Sequence, residues 1–311
     1  MTTALHVSDL SVRYGDHQAL KNLSLNVEPG ELIGVIGPNG AGKTSFIKAL
    51  CGRVHYDGNV QIGDTRLKRR QNRQPLLGLV PQDIGLYPHM SARENLQAFA
   101  KIMGLSRAAR KTAMTDALDA VGMTEKADTP VSALSGGMKR RINVAAAIMH
   151  NPKVIIFDEP TAGVDIPARD TVHRLARSLA ERGMAVLLVT HELEQAEALC
   201  DKVLLLCKGE ALAFDAPATI LTRSFKGMRE VMIRYAAPPS LENLEAMRPF
   251  EFTQGELPTI YTAMTQASEV SFVSAFMTAL RNGNDIVREI SVRRPGLTSL
   301  MHRIEQTGSC Q

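Results

Sequence analysis

Continuous aliphatic runs recur along the first two thirds of the chain. They occupy Glu31–Ile36, Val154–Phe157, Ala185–Thr190 and Val203–Leu206. A strand has this pattern when helices cover both faces of its sheet, as they do in parallel sheets. Segments with helical periodicity separate the runs, so the pattern predicts an α/β fold with a mainly parallel sheet.

A long helical stretch separates the first two aliphatic runs. Its periodicity predicts helices over Ala92–Met103, Ala108–Val121 and Lys139–Met149. Asn151-Pro152 ends the last of them, because a proline disfavours the helical conformation of the residue before it. These helices are expected to form a unit of their own beside the sheet.

A different pattern begins between residues 222 and 240. Strand-like Val231–Tyr235 leads into linker-like Ala236–Ser240. Beyond the linker, we expect a helix over Leu241–Met247, a strand over Ile260–Met264, a helix over Glu269–Leu280, a strand over Asp285–Val292 and a helix over Leu297–Glu305. The pattern predicts a first domain over residues 1–222 and a small α+β accessory or regulatory domain over residues 223–311.

The helix expected over Glu269–Leu280 carries several apolar residues. They are Val270, Val273, Phe276, Met277 and Leu280. Apolar residues at helical spacing favour one face of a helix. We therefore expect this set to pack into the core of the small domain.

The motif with the most specific chemistry follows the first aliphatic run. It reads Gly37-Pro38-Asn39-Gly40-Ala41-Gly42-Lys43-Thr44 and fits G-x-x-x-x-G-K-[ST], with a helix predicted from Ser45 onward. Glycines let backbone N–H groups turn toward a phosphate, and the helix N-terminus adds partial positive charge. Lys43 is expected to reach the β- and γ-phosphates, and the Thr44 hydroxyl to bind Mg²⁺. The alternative is a glycine-rich turn with a surface lysine, which the flanking strand and helix disfavour.

Two carboxylates end the second aliphatic run. Asp158 and Glu159 follow Val154–Phe157 directly. Ligands of α/β folds bind at the carboxyl ends of strands. Asp158 is therefore expected to hold Mg²⁺ through water, and Glu159 to polarise the attacking water. The alternative is a carboxylate pair at a strand end that only faces solvent.

A third motif lies between the other two and reads Leu134-Ser135-Gly136-Gly137-Met138. Ser135 is a good N-cap for the helix that follows, and Gly136-Gly137 permit the close approach of an anion. The ordered triple resembles the nucleotide-binding domains of ATP-binding-cassette (ABC) transporters. In that family, the Leu-Ser-Gly-Gly segment of one subunit closes on the γ-phosphate held by the other. The resemblance therefore implies ATP and a second ATPase subunit as partners. We expect a homodimer, and the alternative is a paralogue as the second subunit.

Four further residues match this family in the expected order. Tyr14 matches an aromatic residue that stacks on adenine, and Gln82 matches a glutamine that touches Mg²⁺ and senses the transmembrane partner. Asp165 matches a loop that crosses the dimer interface, and His191 matches a histidine that contacts the γ-phosphate. Taken alone, they have ordinary alternatives: a strand-core aromatic, a loop amide, a turn or cap aspartate and a structural histidine.

The resemblance covers about residues 5–222. It implies a P-loop NTPase core of the ABC type, with an inserted helical subdomain over about residues 83–150, and the cofactors ATP and Mg²⁺. It assigns catalysis to Glu159, His191 and Gln82, and metal binding to Thr44, Gln82 and Asp158. It assigns nucleotide contacts to Tyr14, to the loop from Gly37 to Ser45, and to Ser135, Gly136, Gly137 and Asp165.

Composition and charge exclude other classes of protein. The chain has 36 Lys+Arg against 32 Asp+Glu, and it lacks RNP, helix-turn-helix and zinc-binding patterns, so we predict no nucleic-acid partner. No apolar run approaches the roughly 20 residues that span a bilayer, and the N-terminus does not resemble a signal peptide. A transport pore is therefore expected on a separate permease chain. The protein itself is expected at the cytoplasmic side of the inner or plasma membrane, bound peripherally.

Two segments point to a subfamily. The third motif continues as Met138-Lys139-Arg140-Arg141, which is similar to the drug-, lipid- and polysaccharide-export ATPases that pair with type-2 ABC permeases. Arg294–Leu297 resembles an ending common in that group, although Thr298-Ser299 replace its acidic pair. The predicted function is the ATP-binding and ATP-hydrolysing subunit of an ABC exporter. The alternatives are an importer ATPase and a regulatory ABC ATPase without a transport role.

Overall fold

The computed structural model describes residues 3–67, 76–161, 166–255, 257–280 and 285–307. Contacts divide the chain into two units. The first comprises Met1–Pro217 with Ile304–Gln311, and the second comprises Ala218–Arg303. The break after Pro217 lies close to the boundary that the sequence suggests at residue 222.

Strands dominate the N-terminal part of the chain, and helices become frequent after β6. In chain order, the elements up to residue 215 are β1 (Leu5–Tyr14), β2 (His17–Val27), β3 (Leu32–Ile36), α1 (Lys43–Leu50), β4 (Asp57–Ile62), β5 (Thr65–Arg66), β6 (Leu77–Val80), α2 (Ala92–Ile102), α3 (Arg107–Ala120), α4 (Gly136–Ile148), β7 (Val154–Asp158), α5 (Ile166–Glu181), β8 (Ala185–Val189), α6 (Leu193–Leu199), β9 (Lys202–Cys207) and β10 (Glu210–Asp215).

The remaining elements are a mixture of helices and strands. They are α7 (Pro217–Phe225), β11 (Arg229–Tyr235), α8 (Leu241–Met247), β12 (Thr253–Gln254), β13 (Ile260–Thr265), α9 (Glu269–Ala279), β14 (Val287–Arg293) and α10 (Leu297–Thr307). Within the described ranges, no helix is both long enough and apolar enough to cross a membrane.

A six-stranded sheet is central to the first unit, in the order β10-β9-β3-β8-β7-β6. The five strands from β9 to β6 run parallel to their neighbours, and the edge strand β10 runs antiparallel to β9. All residues of β3 and β8 are buried, as their aliphatic runs predict. The predicted α/β class is confirmed. The short strand β6 was not predicted, because its four residues carry too little pattern to stand out.

A second, antiparallel sheet of the first unit has the order β2-β1-β4-β5. Its apolar side chains share one core with those of the six-stranded sheet and of α1. Phe46 and Leu50 of α1 are fully buried in that core. Their burial fixes the helix in place, and with it the start of the helix at Lys43.

The predicted helical insertion is present between β6 and β7. Helices α2, α3 and α4 pack against one another there, and their ends agree with the expected ranges to within one residue, except at the start of α4. That helix begins at Gly136 rather than Lys139, because the Ser135 side chain accepts a hydrogen bond from the Met138 N–H at 3.3 Å and caps the first turn.

The second unit is a small α+β fold. Its antiparallel sheet has the order β12-β13-β11-β14. Alternate residues of β11 face a core that includes side chains of α8 and α9. Its buried members are Val231, Ile233, Tyr235, Met247, Tyr261, Ala263, Phe272 and Phe276. This core is separate from that of the first unit.

The buried face of α9 differs from the one expected. Phe276 is buried as predicted, but Val270 is 81% exposed and Met277 is 49% exposed. Phe272, which was not in the expected set, is buried in their place. At about 100° per residue, Phe272 lies near the direction of Phe276, whereas Val270 and Met277 point about 100–120° away from it. The face of α9 that packs into the core is therefore the one that carries Phe272 and Phe276.

Candidate functional site

The glycines of the loop between β3 and α1 are required by its geometry. Gly37 has φ +154°, and a Cβ there would lie 2.2 Å from the Leu206 carbonyl oxygen. Gly42 has φ +106°, and a Cβ there would lie 2.6 Å from the Ala19 carbonyl oxygen. Gly42 is also the N-cap of α1 and supplies no side-chain acceptor. The first N–H groups of α1 thus lack a side-chain cap, which suits an anion.

Lys43 is positioned at this loop. Its Nζ donates to the carbonyl oxygens of Gly37 at 2.6 Å and of Pro38 at 3.1 Å. Burial lowers the pKa of the Lys43 ammonium, and the negative charge of Glu159 opposes that shift. A partly desolvated cation of this kind gains from a phosphate at close range.

The carboxyl ends of β7 and β8 bring the predicted base and histidine together. These strands are parallel neighbours, with Asp158 paired with Val189. The Glu159 N–H donates to the Val189 carbonyl oxygen at 2.9 Å. One residue past Thr190, the His191 Nδ1 lies 3.6 Å from the Glu159 Oε2. Both side chains therefore lie at the sheet edge where ligands of parallel sheets bind.

The backbone of Glu159 is strained. Its φ is +46°, in the left-handed region that residues other than glycine seldom adopt. The hydrogen bond to Val189 helps to hold this conformation. Such strain persists where the surrounding structure fixes it, and it is concentrated at functional sites.

The electrostatics of the carboxylate pair suit a divalent cation. Burial raises the pKa of Asp158, and the charge of Glu159 raises it further. A bound cation would relieve both effects. The described residues contain no group of three or more His, Cys, Asp or Glu side chains that could hold a metal alone. A cation beside Asp158 would need further oxygen ligands, and Mg²⁺ accepts such a mixture of one carboxylate with hydroxyl, amide, water and phosphate oxygens.

Apart from the Leu-Ser-Gly-Gly segment, the other predicted site residues lie at the ends of strands or in the first turn of α1, except one that lies outside the described residues. Gln82 follows β6 and is exposed. Tyr14, at the end of β1, is 43% exposed, so the alternative of a strand-core aromatic is wrong. Thr44 is exposed and Ser45 half-buried in the first turn of α1. Asp165 lies outside the described residues.

The Leu-Ser-Gly-Gly segment caps α4 through Ser135, but among its described contacts none reaches the phosphate loop of its own subunit. Ser135 and Gly136 are exposed at the N-terminus of α4. A Cβ added to Gly136 would meet nothing within 4 Å, and no left-handed φ requires a glycine there. Among the described hydrogen bonds of Ser135 and Gly136, none reaches the phosphate loop. The need for a glycine at this position is therefore not explained by the fold of this chain.

Sequence reasoning missed one residue that contacts a predicted site residue. Arg140 of α4 is 5% exposed and donates from Nη1 to the carbonyl oxygens of Pro81 and Gln82. The only sequence signal was a basic cluster, Lys139-Arg140-Arg141, and such clusters usually face solvent.

Comparison with known proteins agrees with this geometry. Residues 20–162 match the profile of the ABC transporter family. The linearmycin resistance ATP-binding protein LnrL of Bacillus subtilis is 37% identical over 221 residues, which cover 70% of this chain and 71% of the relative. The Nod factor export ATP-binding protein I of Burkholderia thailandensis is 40% identical over 211 residues, which cover 67% of this chain and 69% of the relative.

Solved structures agree as well. A solved ATP-binding subunit of an ABC transporter superposes with a TM-score of 0.62 at 28% identity, covering 72% of this chain and 94% of the other. The cbiO1 protein of Clostridium perfringens, part of the ABC transporter complex cbiONQ, superposes with a TM-score of 0.66 at 25% identity, covering 72% and 92%. The chain therefore belongs to the ABC transporter family, as an ATP-binding subunit that hydrolyses ATP and pairs with transmembrane permeases.

Proposed function

We propose that two copies of this chain form a dimer that encloses two Mg-ATP molecules. In each site, the phosphate loop of one subunit would hold the nucleotide, and Ser135 of the other would complete it. The observation that carries this proposal is the exposed Ser135-Gly136 segment, whose glycine faces open space. A phosphate approaching from a second copy would supply the steric reason for that glycine, and the N-terminus of α4 would supply the partial positive charge.

Each charged residue of the site has a separate role in this proposal. Lys43 would exchange its bonds to the Gly37 and Pro38 carbonyls for the β- and γ-phosphates. Glu159 would accept the proton of the attacking water, and His191 would contact the γ-phosphate from the Glu159 side. Bound Mg²⁺, held by Asp158, Thr44 and Gln82, would supply charge neutralisation of the phosphates. Closure of the dimer would exclude water, and Asp165 would lie in the loop that crosses the interface.

The nucleotide base and the membrane partner would contact residues further from the carboxylates. The exposed Tyr14 ring is available to stack on adenine. Downstream of Gln82, the exposed Tyr87 ring stacks on Phe99 with a centroid distance of 6.4 Å, and Ile102 is 62% exposed. We propose that this apolar patch binds a cytoplasmic segment of the permease, so that Gln82 lies between metal and partner.

The Mg²⁺ assignment predicts opposite effects of Asp158→Asn on stability and on activity. Because the folded-state pKa of Asp158 is raised, ionisation of this carboxyl costs more in the folded chain than in the unfolded chain and so destabilises the fold. The substitution should therefore raise the Tm of the nucleotide-free chain by a few degrees while it strongly reduces Mg²⁺-dependent hydrolysis. Scanning calorimetry measures the Tm of the free chain and of the ATP complex with either Mg²⁺ or EDTA. A phosphate-release assay measures hydrolysis. If Asp158→Asn keeps the extra stabilisation that Mg²⁺ gives to the ATP complex, Asp158 is not the metal ligand.

We propose export as the direction of transport. The support is the similarity to relatives named for linearmycin resistance and Nod factor export, together with the Met138-Lys139-Arg140-Arg141 sequence. The protein would act from the cytoplasmic side of the membrane, where ATP is supplied, and its pore would be a type-2 permease on a separate chain. Purification in mild detergent should identify that permease as the membrane protein bound to this chain. Recovery with an importer permease, or with ribosomes and no permease, would contradict the proposal.

We propose that residues 223–311 are an accessory domain that holds the two ATPases near each other. Their separate core, and the exposed apolar Val270 and Met277 on α9, support a further contact between copies. Such a tether would raise the effective concentration of the second subunit without changing the closed site. The alternative is a cap that only stabilises the first unit.

The tether predicts a change in concentration dependence. A chain that ends at Thr222 should bind ATP normally, but its ATPase rate should fall more steeply on dilution. The full-length variant Val270→Glu with Met277→Glu is the matched test, because both side chains are exposed and their replacement leaves the core intact. If both proteins fold normally and their ATPase rates fall on dilution as the wild-type rate does, only the stabilising role remains.

A further inference from the structure

Arg140 links two segments that belong to different nucleotide sites in the proposed dimer. Its Nη1 donates to the Pro81 carbonyl oxygen at 3.3 Å and to the Gln82 carbonyl oxygen. Arg140 belongs to α4, whose N-terminus is capped by Ser135. Pro81 and Gln82 belong to the loop that follows β6. One buried side chain thus joins the main chain of the Gln82 loop to the helix of the Leu-Ser-Gly-Gly segment.

The burial of Arg140 makes this link a firm one. The residue is 5% exposed, and its guanidinium remains charged because its ordinary pKa is very high. Burial lowers the Arg140 pKa, and the charge of Asp83 opposes that shift. A buried cation is costly unless its N–H groups are bonded, and charged donors form stronger bonds to carbonyls than neutral donors do. Separation of α4 from the Gln82 loop would remove these bonds from a group that is largely buried.

Because α4 is a rigid helix, a displacement of the Gln82 loop that moves Arg140 would also move Ser135. Arg140 lies five residues after Ser135, and at about 1.5 Å per residue this is roughly 7–8 Å along α4. The neighbouring Arg141 does not share the contact. Its Nη1 instead lies 3.4 Å from the Gly122 carbonyl oxygen, at the turn after α3. The two arginines of the same basic cluster therefore have different tasks.

We propose that Arg140 is a positioning residue that couples the two ATP sites of the dimer. Gln82 would contact the Mg²⁺ in its own subunit, whereas Ser135 would contact the γ-phosphate held by the partner. A shift of the Gln82 loop on ATP binding would move α4 through Arg140 and align Ser135 with the other site. Occupancy of one site would thereby favour closure of the second. This inference rests on the proposed dimer, but the contact itself does not.

Three substitutions distinguish the loss of the Arg140 contacts from a general loss of stability. Arg140→Met removes the donors and keeps a side chain of similar length, whereas Arg140→Lys keeps the charge and one point of donation. Arg93→Met is the matched control, because Arg93 is an arginine of α2 in the same helical insertion whose exposed side chain pairs with Asp128 at 2.7 Å. ATP affinity of each full-length chain, measured with Mg-ATP by calorimetry, should remain that of the wild type.

The first readout is hydrogen exchange in the nucleotide-free full-length chain. Arg140→Met should accelerate exchange over residues 80–86 and at the start of α4, Arg140→Lys should do so less, and Arg93→Met should leave both segments unchanged. The second readout is the Hill coefficient of ATP hydrolysis by the purified complex with its permease. It should exceed one in the wild type and fall toward one in Arg140→Met.

Each other outcome overturns a distinct part of the inference. Exchange that is unchanged at residues 80–86, or that rises equally throughout the chain, would overturn the link and leave Arg140 an ordinary structural residue. A cooperative wild type with equally cooperative Arg140→Met would overturn the coupling alone. A wild-type Hill coefficient of one would overturn the coupling but not the dimer, because two independent sites also give that value, and the exchange result would still decide whether Arg140 holds the loop.

Discussion

Glu159→Gln should bind Mg-ATP as tightly as the wild type and hydrolyse it about 10²–10⁴-fold more slowly. The amide has the shape of the carboxylate and can occupy the same place near His191, whose Nδ1 lies 3.6 Å from the Glu159 side chain. It cannot accept a proton from water. The substitution leaves Lys43 and Asp158, the proposed phosphate and metal ligands, unchanged, so the loss is expected in the chemical step.

A second consequence of Glu159→Gln is a trapped dimer. If hydrolysis opens the closed dimer, a variant that binds ATP without cleaving it should accumulate in the closed form. Nucleotide titrations measure the ATP affinity of the variant, and steady-state assays measure its loss of hydrolysis. Glu194→Gln is the control, because Glu194 is an exposed residue in the first turn of α6. Wild-type hydrolysis in Glu159→Gln would rule out Glu159 as the base.

Ser135→Arg should abolish hydrolysis while the isolated subunit still binds ATP. Ser135 is exposed and bonds only within the first turn of its own helix among its described contacts, so we expect it to play no part in holding the nucleotide of its own subunit. In the dimer, the arginine would occupy the space that the partner's γ-phosphate needs. The rate of hydrolysis is expected to fall by at least about 10²-fold, as it does when an enzyme loses one donor that stabilises transition-state charge.

Mixed dimers provide the sharper form of this prediction. Lys43→Ala removes a positive charge from the phosphate loop and should weaken nucleotide binding. A dimer of one Ser135→Arg subunit and one Lys43→Ala subunit would contain one site with an intact loop and an intact Ser135. Mixing the two inactive proteins should therefore restore hydrolysis, at one site per dimer at most. A monomer affinity for ATP that falls as far in Ser135→Arg as in Lys43→Ala would contradict the shared site.

Local motifs made much of the fold and site predictable from the sequence. The phosphate loop is recognisable because its glycines are required by steric constraints within a few residues of chain, as at Gly37 and Gly42. The strand that ends in Asp158 is recognisable because a strand buried on both faces must be aliphatic throughout. Parallel pairing of β7 with β8 then accounts for the approach of His191 to Glu159.

Features that depend on distant contacts were not predictable in the same way. The side chain of Arg140 meets the Gln82 loop across 58 positions of sequence, and a basic cluster gives no sign of which member is buried. The left-handed backbone of Glu159 depends on its bond to the neighbouring strand. The rotation of α9 that exposes Val270 depends on two aromatic residues fitting the core of the second unit, and periodicity alone does not weigh their size.

The central claim is that a second copy of this chain completes the ATP site. Its most direct test is the mass of the particle that Glu159→Gln forms with saturating Mg-ATP, measured by native mass spectrometry. We predict two chains with two bound nucleotides, and a return to single chains when Ser135→Arg is added to the same protein. A particle of one chain and one nucleotide at every protein concentration would contradict the account.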